Sequence, residues 1–114
     1  MVYITLCSMK LRYFFDPGSG TCLWSADDEA RMSYGYAVTL EELPISEAAR
    51  AEGHRLATIF DTSIDWNDPG GQSPWTAEHE TRFRESSDAL HAVLVAELRT
   101  RFEIANEVRF PKAV

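Results

Sequence analysis

The sequence predicts an α+β fold: a small antiparallel β-sheet, made of an N-terminal hairpin plus a C-terminal strand, with two longer helices packed on one face and a short helix. Three observations predict it. Leu11, Tyr13 and Phe15 alternate with polar or outward positions, the period of a half-buried strand. Two long stretches carry apolar residues at helical spacing behind capping residues, and Phe102, Ile104 and Val108 restore a two-residue alternation near the end.

The first strand spans Lys10 to Asp16, and Thr21-Cys22-Leu23-Trp24 is its antiparallel partner across the Pro17 to Gly20 loop. Ser25 followed by Asp28 resembles a capping box, so a short helix is expected over 26–34, with Gly35 behind it as the left-handed residue that ends it. Asp27, Asp28 and Glu29 then fall in the first turn, where the helix dipole favours acids. Tyr36-Ala37-Val38 reads as a brief extended segment. Thr39-Leu40-Glu41-Glu42 is a second capping box, cut short by Pro44.

Ser46 is the next N-cap, and Ala49, Leu56, Ile59 and Phe60 place one apolar face on a helix over 47–62 despite Gly53. A long loop from Asp65 to Trp75 follows. Either Ser73, with Pro74 behind it, or Thr76 caps the last helix, whose face is Phe83, Leu90, Leu94 and Leu98 with Ser87 in a gap. The final strand is Phe102 to Phe110. The core is therefore Leu11, Tyr13, Phe15, Ile104 and Val108 against Leu56, Phe60, Leu90 and Leu94.

At 114 residues, with 45% hydrophobic and 25% charged content, the chain makes one domain over residues 9–110. Residues 1–8 read as a disordered N-terminal extension or an edge strand, and 111–114 as a tail. There is no apolar run of the roughly 18 residues a membrane span needs, and no basic segment leading an apolar one as in a signal peptide, so no membrane partner and a cytoplasmic location are expected. Cys7 and Cys22 are expected as two buried thiols in a reducing compartment, the alternative being a disulfide between them.

The net charge of −7 is unevenly spread. Residues 25–75 hold ten carboxylates against Arg31, Arg50 and Arg55, which accounts for the whole excess. Nucleic acid is disfavoured, because a phosphate backbone requires clustered Lys and Arg. A basic protein partner is favoured by the same distribution, beside the plainer reading of a solvated acidic face.

Two segments repeat one idea: Asp16-Pro17-Gly18-Ser19-Gly20-Thr21-Cys22-Leu23-Trp24, and Asp68-Pro69-Gly70-Gly71-Gln72-Ser73-Pro74-Trp75. Asp-Pro-Gly is a turn signal, since Pro presets φ and Gly tolerates positive φ after it. Trp24 is expected to pack into the core or against a helix. Trp66 and Trp75 bracket the second loop, where aromatics on a stiff segment resemble the anchors of protein interfaces. The candidate partner-binding residues are therefore Asp61, Asp65, Trp66, Asp68 and Trp75, with Glu41 and Glu42.

Chemical motifs are sparse. Asp65, Asn67 and Gly70 match three positions of a calcium-binding loop, but Pro69 and Thr76 stand where oxygen ligands are needed, so no metal or other cofactor is assigned. Gly18-Ser19-Gly20 is too small a fragment for a nucleophile elbow and lacks the Lys of a phosphate loop. His79 is expected at the surface; His54 and His91 are expected in partly buried, hydrogen-bonded roles. No catalytic residue is assigned. An enzymatic alternative, hydrolase-like or metal-dependent, would use Asp61, Asp65 and Asp68 with His79 or Asp16 where the two Pro-Gly loops meet.

Over most of residues 9–108, and in the segment from Phe15 to Trp24, the chain resembles small acidic uncharacterised bacterial proteins and the immunity partners of secreted toxins. The resemblance implies a protein that works by holding another one, here a basic toxin, and brings no catalytic residue with it. A homo-oligomeric structural protein, with a homodimer formed through a strand edge or helix face, is the remaining alternative.

Overall fold

In the computed structural model, which describes residues 8–109, the chain order is β1 (Met9–Tyr13), β2 (Leu23–Ser25), α1 (Asp28–Tyr34), β3 (Ala37–Val38), a 3-10 turn (Leu40–Glu42), α2 (Glu47–Asp61), α3 (Ala77–Leu98) and β4 (Phe102–Asn106). The readings for the N-terminal extension, the tail and a Cys7–Cys22 bond fall outside the described residues.

The sheet runs β3-β2-β1-β4. Two of its ladders are antiparallel: the expected hairpin, Tyr13 facing Leu23, and a further pairing in which the extended segment joins the sheet, Leu23 facing Val38. The third is parallel: Met9 to Tyr13 align with Phe102 to Asn106, so the sheet is mixed. Alternation in β4 reports which residues face the core and carries no strand direction; direction follows from where α3 delivers the chain. Met9 N–H donates to the Arg101 carbonyl at 3.0 Å, so β4 starts beside the start of β1. Parallel neighbours need a long crossover, and the helices provide it.

The first helix begins later than its sequence suggests. Ser25 is not a cap; it closes β2, its N–H donating to the Tyr36 carbonyl and its hydroxyl to the Gly35 carbonyl. Asp27 caps α1 instead, one carboxylate oxygen accepting Ala30 N–H at 2.9 Å and the other Lys10 N–H at 3.1 Å. Gly35, at φ 78°, ends the helix as expected. Ser46 and Thr76 cap α2 and α3 through Ala49 N–H and His79 N–H.

Both long helices lie on one face of the sheet. They run antiparallel, because Glu97 near the end of α3 accepts the N–H (2.7 Å) and hydroxyl (2.8 Å) of Ser46 at the start of α2. Those two bonds hold the Glu97 carboxyl below its usual range. The core joins Met9, Leu11, Tyr13, Phe15 and Leu23 to Leu56, Phe60, Phe83, Leu90, Leu94 and Leu98, with Ile104 and Val108 partly buried against it. Gly53 is buried in α2 because a Cβ there would run into Leu40 Cδ1, so the glycine lets the 3-10 turn lie against the helix.

On the opposite face of the sheet Trp24 is buried, as expected, in a small aromatic group of its own. This group stands apart from the main cluster. Trp24 stacks on Phe14 (4.8 Å, 8°), lies 5.2 Å from Tyr36 and donates its Nε1–H to the Phe14 carbonyl. Sheet pleating puts Trp24 on the far side from Leu23 and so away from the main cluster.

Tyr13 joins sheet to helix. It is fully buried, donates to the Ser87 carbonyl at 2.9 Å and accepts from the Ser87 hydroxyl at 3.2 Å. Replacing it by Phe strands the Ser87 hydroxyl and lowers unfolding free energy by about 1–2 kcal/mol in urea titration, with the dependence on urea unchanged. Burial also pushes the Cys22 thiol up to about 12. In a Cys7→Ser background, Cys22 reacts with a thiol-specific disulfide reagent at neutral pH only as fast as the protein opens, and at once in denaturant.

Candidate partner-binding surface

The two Asp-Pro-Gly segments form turns of different kinds. In the first, Ser19 N–H donates to the Asp16 carbonyl and Gly18 has φ 84°, the conformation a type II turn demands at its third residue. In the second, Gly71 N–H donates to the Asp68 carbonyl, but Gly70 is not in the left-handed region. That turn follows another, closed by Asp68 N–H on the Asp65 carbonyl.

The turns are neighbours, and Asp61 joins them. Its carboxylate accepts Gly18 N–H at 2.8 Å, while its carbonyl accepts the Trp66 Nε1–H at 3.0 Å. The Trp66 ring edge approaches the first turn, with Cη2 3.7 Å from where a Gly18 Cβ would stand. Trp66 nevertheless stays 57% exposed. It is an apolar group held in place at the surface.

Trp75 takes the opposite role. It is buried, its ring centroid 5.2 Å from Phe83 and 6.0 Å from Phe60, and its Nε1–H donates to the Thr62 hydroxyl at 2.9 Å. It pins the long loop to the gap between α2 and α3 from inside. The loop that presents Trp66 depends on this packing.

The acidic candidates are held mainly by neutral groups of the same chain. Asp65 accepts Asn67 N–H at 3.0 Å, and Glu42 accepts both the N–H (3.2 Å) and the hydroxyl (2.7 Å) of Thr39. The Asp68 carboxylate lies against Gly71, where a Cβ would collide with it. Glu41 meets His54 Nε2 at 2.6 Å, and this contact, more than any other, holds its carboxyl below the usual range. His54 is therefore an exposed partner of Glu41 and not a half-buried residue. His91 is half-buried as expected and donates its Nε2–H to the Ile104 carbonyl at 2.9 Å.

Glu41 and Asp61 share one side of α2: His54 and Asp61 are seven residues apart, two turns on a single helix face. Arg50, one turn before His54, is the residue whose role sequence reasoning missed. Its guanidinium donates to the carbonyls of Leu40, Leu43 and Ile45, each at 3.3 Å, and holds the 3-10 turn on the helix. Spacing gave no signal for it, because backbone carbonyls leave no mark in side-chain pattern.

For the enzymatic alternative, the loops do meet. Asp61 is spent on Gly18 and Asp65 on Asn67, however, and among the described residues no group of three or more His, Cys, Asp or Glu is placed to hold a metal ion. Nor is any helix among them long and apolar enough to cross a membrane.

A family model described as Serratia CdiI immunity protein-like matches residues 9–106. A comparison with curated proteins finds no match.

The two loop tryptophans separate by stability. Trp75→Ala lowers unfolding free energy by about 3–5 kcal/mol through the lost aromatic packing. Trp66→Ala, half exposed and supported on one side, changes it by about 1 kcal/mol or less. Thermal and urea unfolding of the two variants read the difference directly.

Proposed function

Since the chain belongs to the Serratia CdiI immunity protein-like family, we propose that it protects its own cell by binding a cognate toxin in the cytoplasm and blocking it, that this toxin presents a basic surface, and that the side of the molecule carrying Glu41, Glu42, Asp61, Asp65, Trp66 and Asp68 is the contact. The observation that supports the reading is Trp66: a large aromatic, exposed, with its indole N–H bonded to the Asp61 carbonyl and its far edge near the first turn, flanked by Asp61, Asp65 and Asp68. Interfaces are anchored by such residues, because little rotamer freedom is left to lose on binding.

Charge supplies the second half. Ten carboxylates against three arginines in residues 25–75 leave a field that attracts a cationic partner over a distance comparable with the Debye length. Blocking requires no chemistry of the inhibitor. It requires a rigid surface of complementary charge and shape, which suits side chains that are already held by backbone N–H groups.

The test begins with a search for a toxin gene beside this chain's own gene, whose product is then used as the partner. Co-purification and growth rescue should show one partner. Trp66→Ala should weaken the complex by roughly 30-fold, corresponding to about 2 kcal/mol. The pair Asp65→Lys and Asp68→Lys should slow association by about tenfold at low salt while leaving the fold intact. An affinity indifferent to salt and to all three substitutions would place the contact elsewhere.

A further inference from the structure

A cleft of about 250 Å³ opens between α2 and the first half of α3, beneath the long loop. Its walls are Leu56, Ile59, Phe83 and the ring of Trp75. Trp75 has its N–H committed to Thr62, so it shows the cleft only apolar surface. Arg55, His79 and Arg82 also line it, and no carboxylate does. Both arginines are already paired, Arg55 with Glu52 and Arg82 with Glu78, so what the cleft gathers at its rim is hydrogen-bond donors.

The donors are arranged for an anion. His79 Nδ1 accepts Thr76 N–H at 3.0 Å, so the neutral ring carries its proton on Nε2, which has no partner among the described residues. Arg82 is paired with Glu78 at 2.9 Å, one turn earlier, but the side chains are 68% and 74% exposed. Such a surface pair is weak enough to accept a second carboxylate or exchange for it. Arg55 is held more firmly by Glu52, through two bonds of 2.7 Å, and contributes its charge and its remaining N–H groups.

We propose that this cleft is a second recognition site, taking a peptide segment in which a large apolar side chain is followed by a carboxylate: the side chain enters between Leu56, Ile59, Phe83 and Trp75, and the carboxylate rests on His79 and Arg82. A peptide is favoured over a free small acid by size. The volume suits one Leu or Phe side chain and falls short of the roughly 300–1,000 Å³ of enclosed small-molecule sites, so backbone must lie along the open rim. The site is distinct from the acidic surface and does not depend on the toxin reading.

Amide and indole signals of the ¹⁵N-labelled protein, titrated with the acetylated, amidated peptide Ala-Leu-Phe-Asp-Ala, test it. Saturable shifts are expected at Thr62, His79 and the Trp75 indole. The same peptide with Asn in place of Asp should bind about three- to tenfold more weakly, and Arg82→Gln should remove most of that preference while leaving thermal stability unchanged. Trp66→Ala should leave the titration as it is. No saturable shift, equal binding of the Asn peptide, shifts centred on Trp66, or 3-phenylpropionate binding as tightly as the peptide would each overturn the proposal.

Discussion

The parallel alignment of β4 on β1 is the constraint from which the rest of the architecture follows. The last strand must start where the first one starts, so everything between has to leave the sheet at one end and return to the other. From its Ser46 cap α2 runs to Asp61 beside the β1–β2 turn, and α3 makes the final return to the end where Glu97 meets Ser46 and β4 begins. Tyr13, in the central strand, then marks the place where sheet and helix lock, with its hydroxyl on Ser87. On the opposite face, among the described residues, Trp24 stacks on Phe14 and meets Tyr36 at a tilt, with Arg12 5.0 Å from the centre of the Phe14 ring.

Delivery of the chain to β4 by α3 also decides where the loops lie. The β1–β2 turn and the α2–α3 loop come out at the same end, and Asp61 is the residue through which they touch. One carboxylate oxygen there receives a backbone N–H that a turn would otherwise leave to water. The same residue's carbonyl fixes the Trp66 indole. Loss of the Asp61 carboxylate would free the first turn beside Trp66 while the backbone carbonyl keeps its bond to the indole, which makes the Asp61 side chain a positioning group for the surface.

Much of this was legible from residues. Ser46, Thr76, Gly35 and Thr39 mark element ends because capping is local chemistry, satisfied within four residues. The faces of α3 and β1 were legible because periodicity states which side is buried. What stayed hidden depends on distant partners. Trp66 and Trp75 are the same residue type in one loop, and only Thr62, Phe60 and Phe83 on one side, Gly18 on the other, decide which is inside. Ser25 and Asp27 are both good caps; the β2–β3 ladder claims the first and leaves the second. The contact between the two Pro-Gly turns, and Arg50 on its three carbonyls, have no sequence signal at all.

The way the acids are held bears on how such a surface works. An acidic patch can be ordered by pairing each carboxylate with Lys or Arg, but pairing cancels the field it orders. Here Asp61, Asp65 and Glu42 are positioned by N–H groups of Gly18, Asn67 and Thr39, which are dipoles without net charge. The side chains lose their freedom during folding while their negative charge stays available to a partner. Fixed charges of one sign, around an aromatic that is itself fixed, leave little to reorganise when a cationic surface arrives. A protein whose role is to occupy another needs fast capture and slow release. Uncancelled field serves the first, and the preordered ring of Trp66 serves the second.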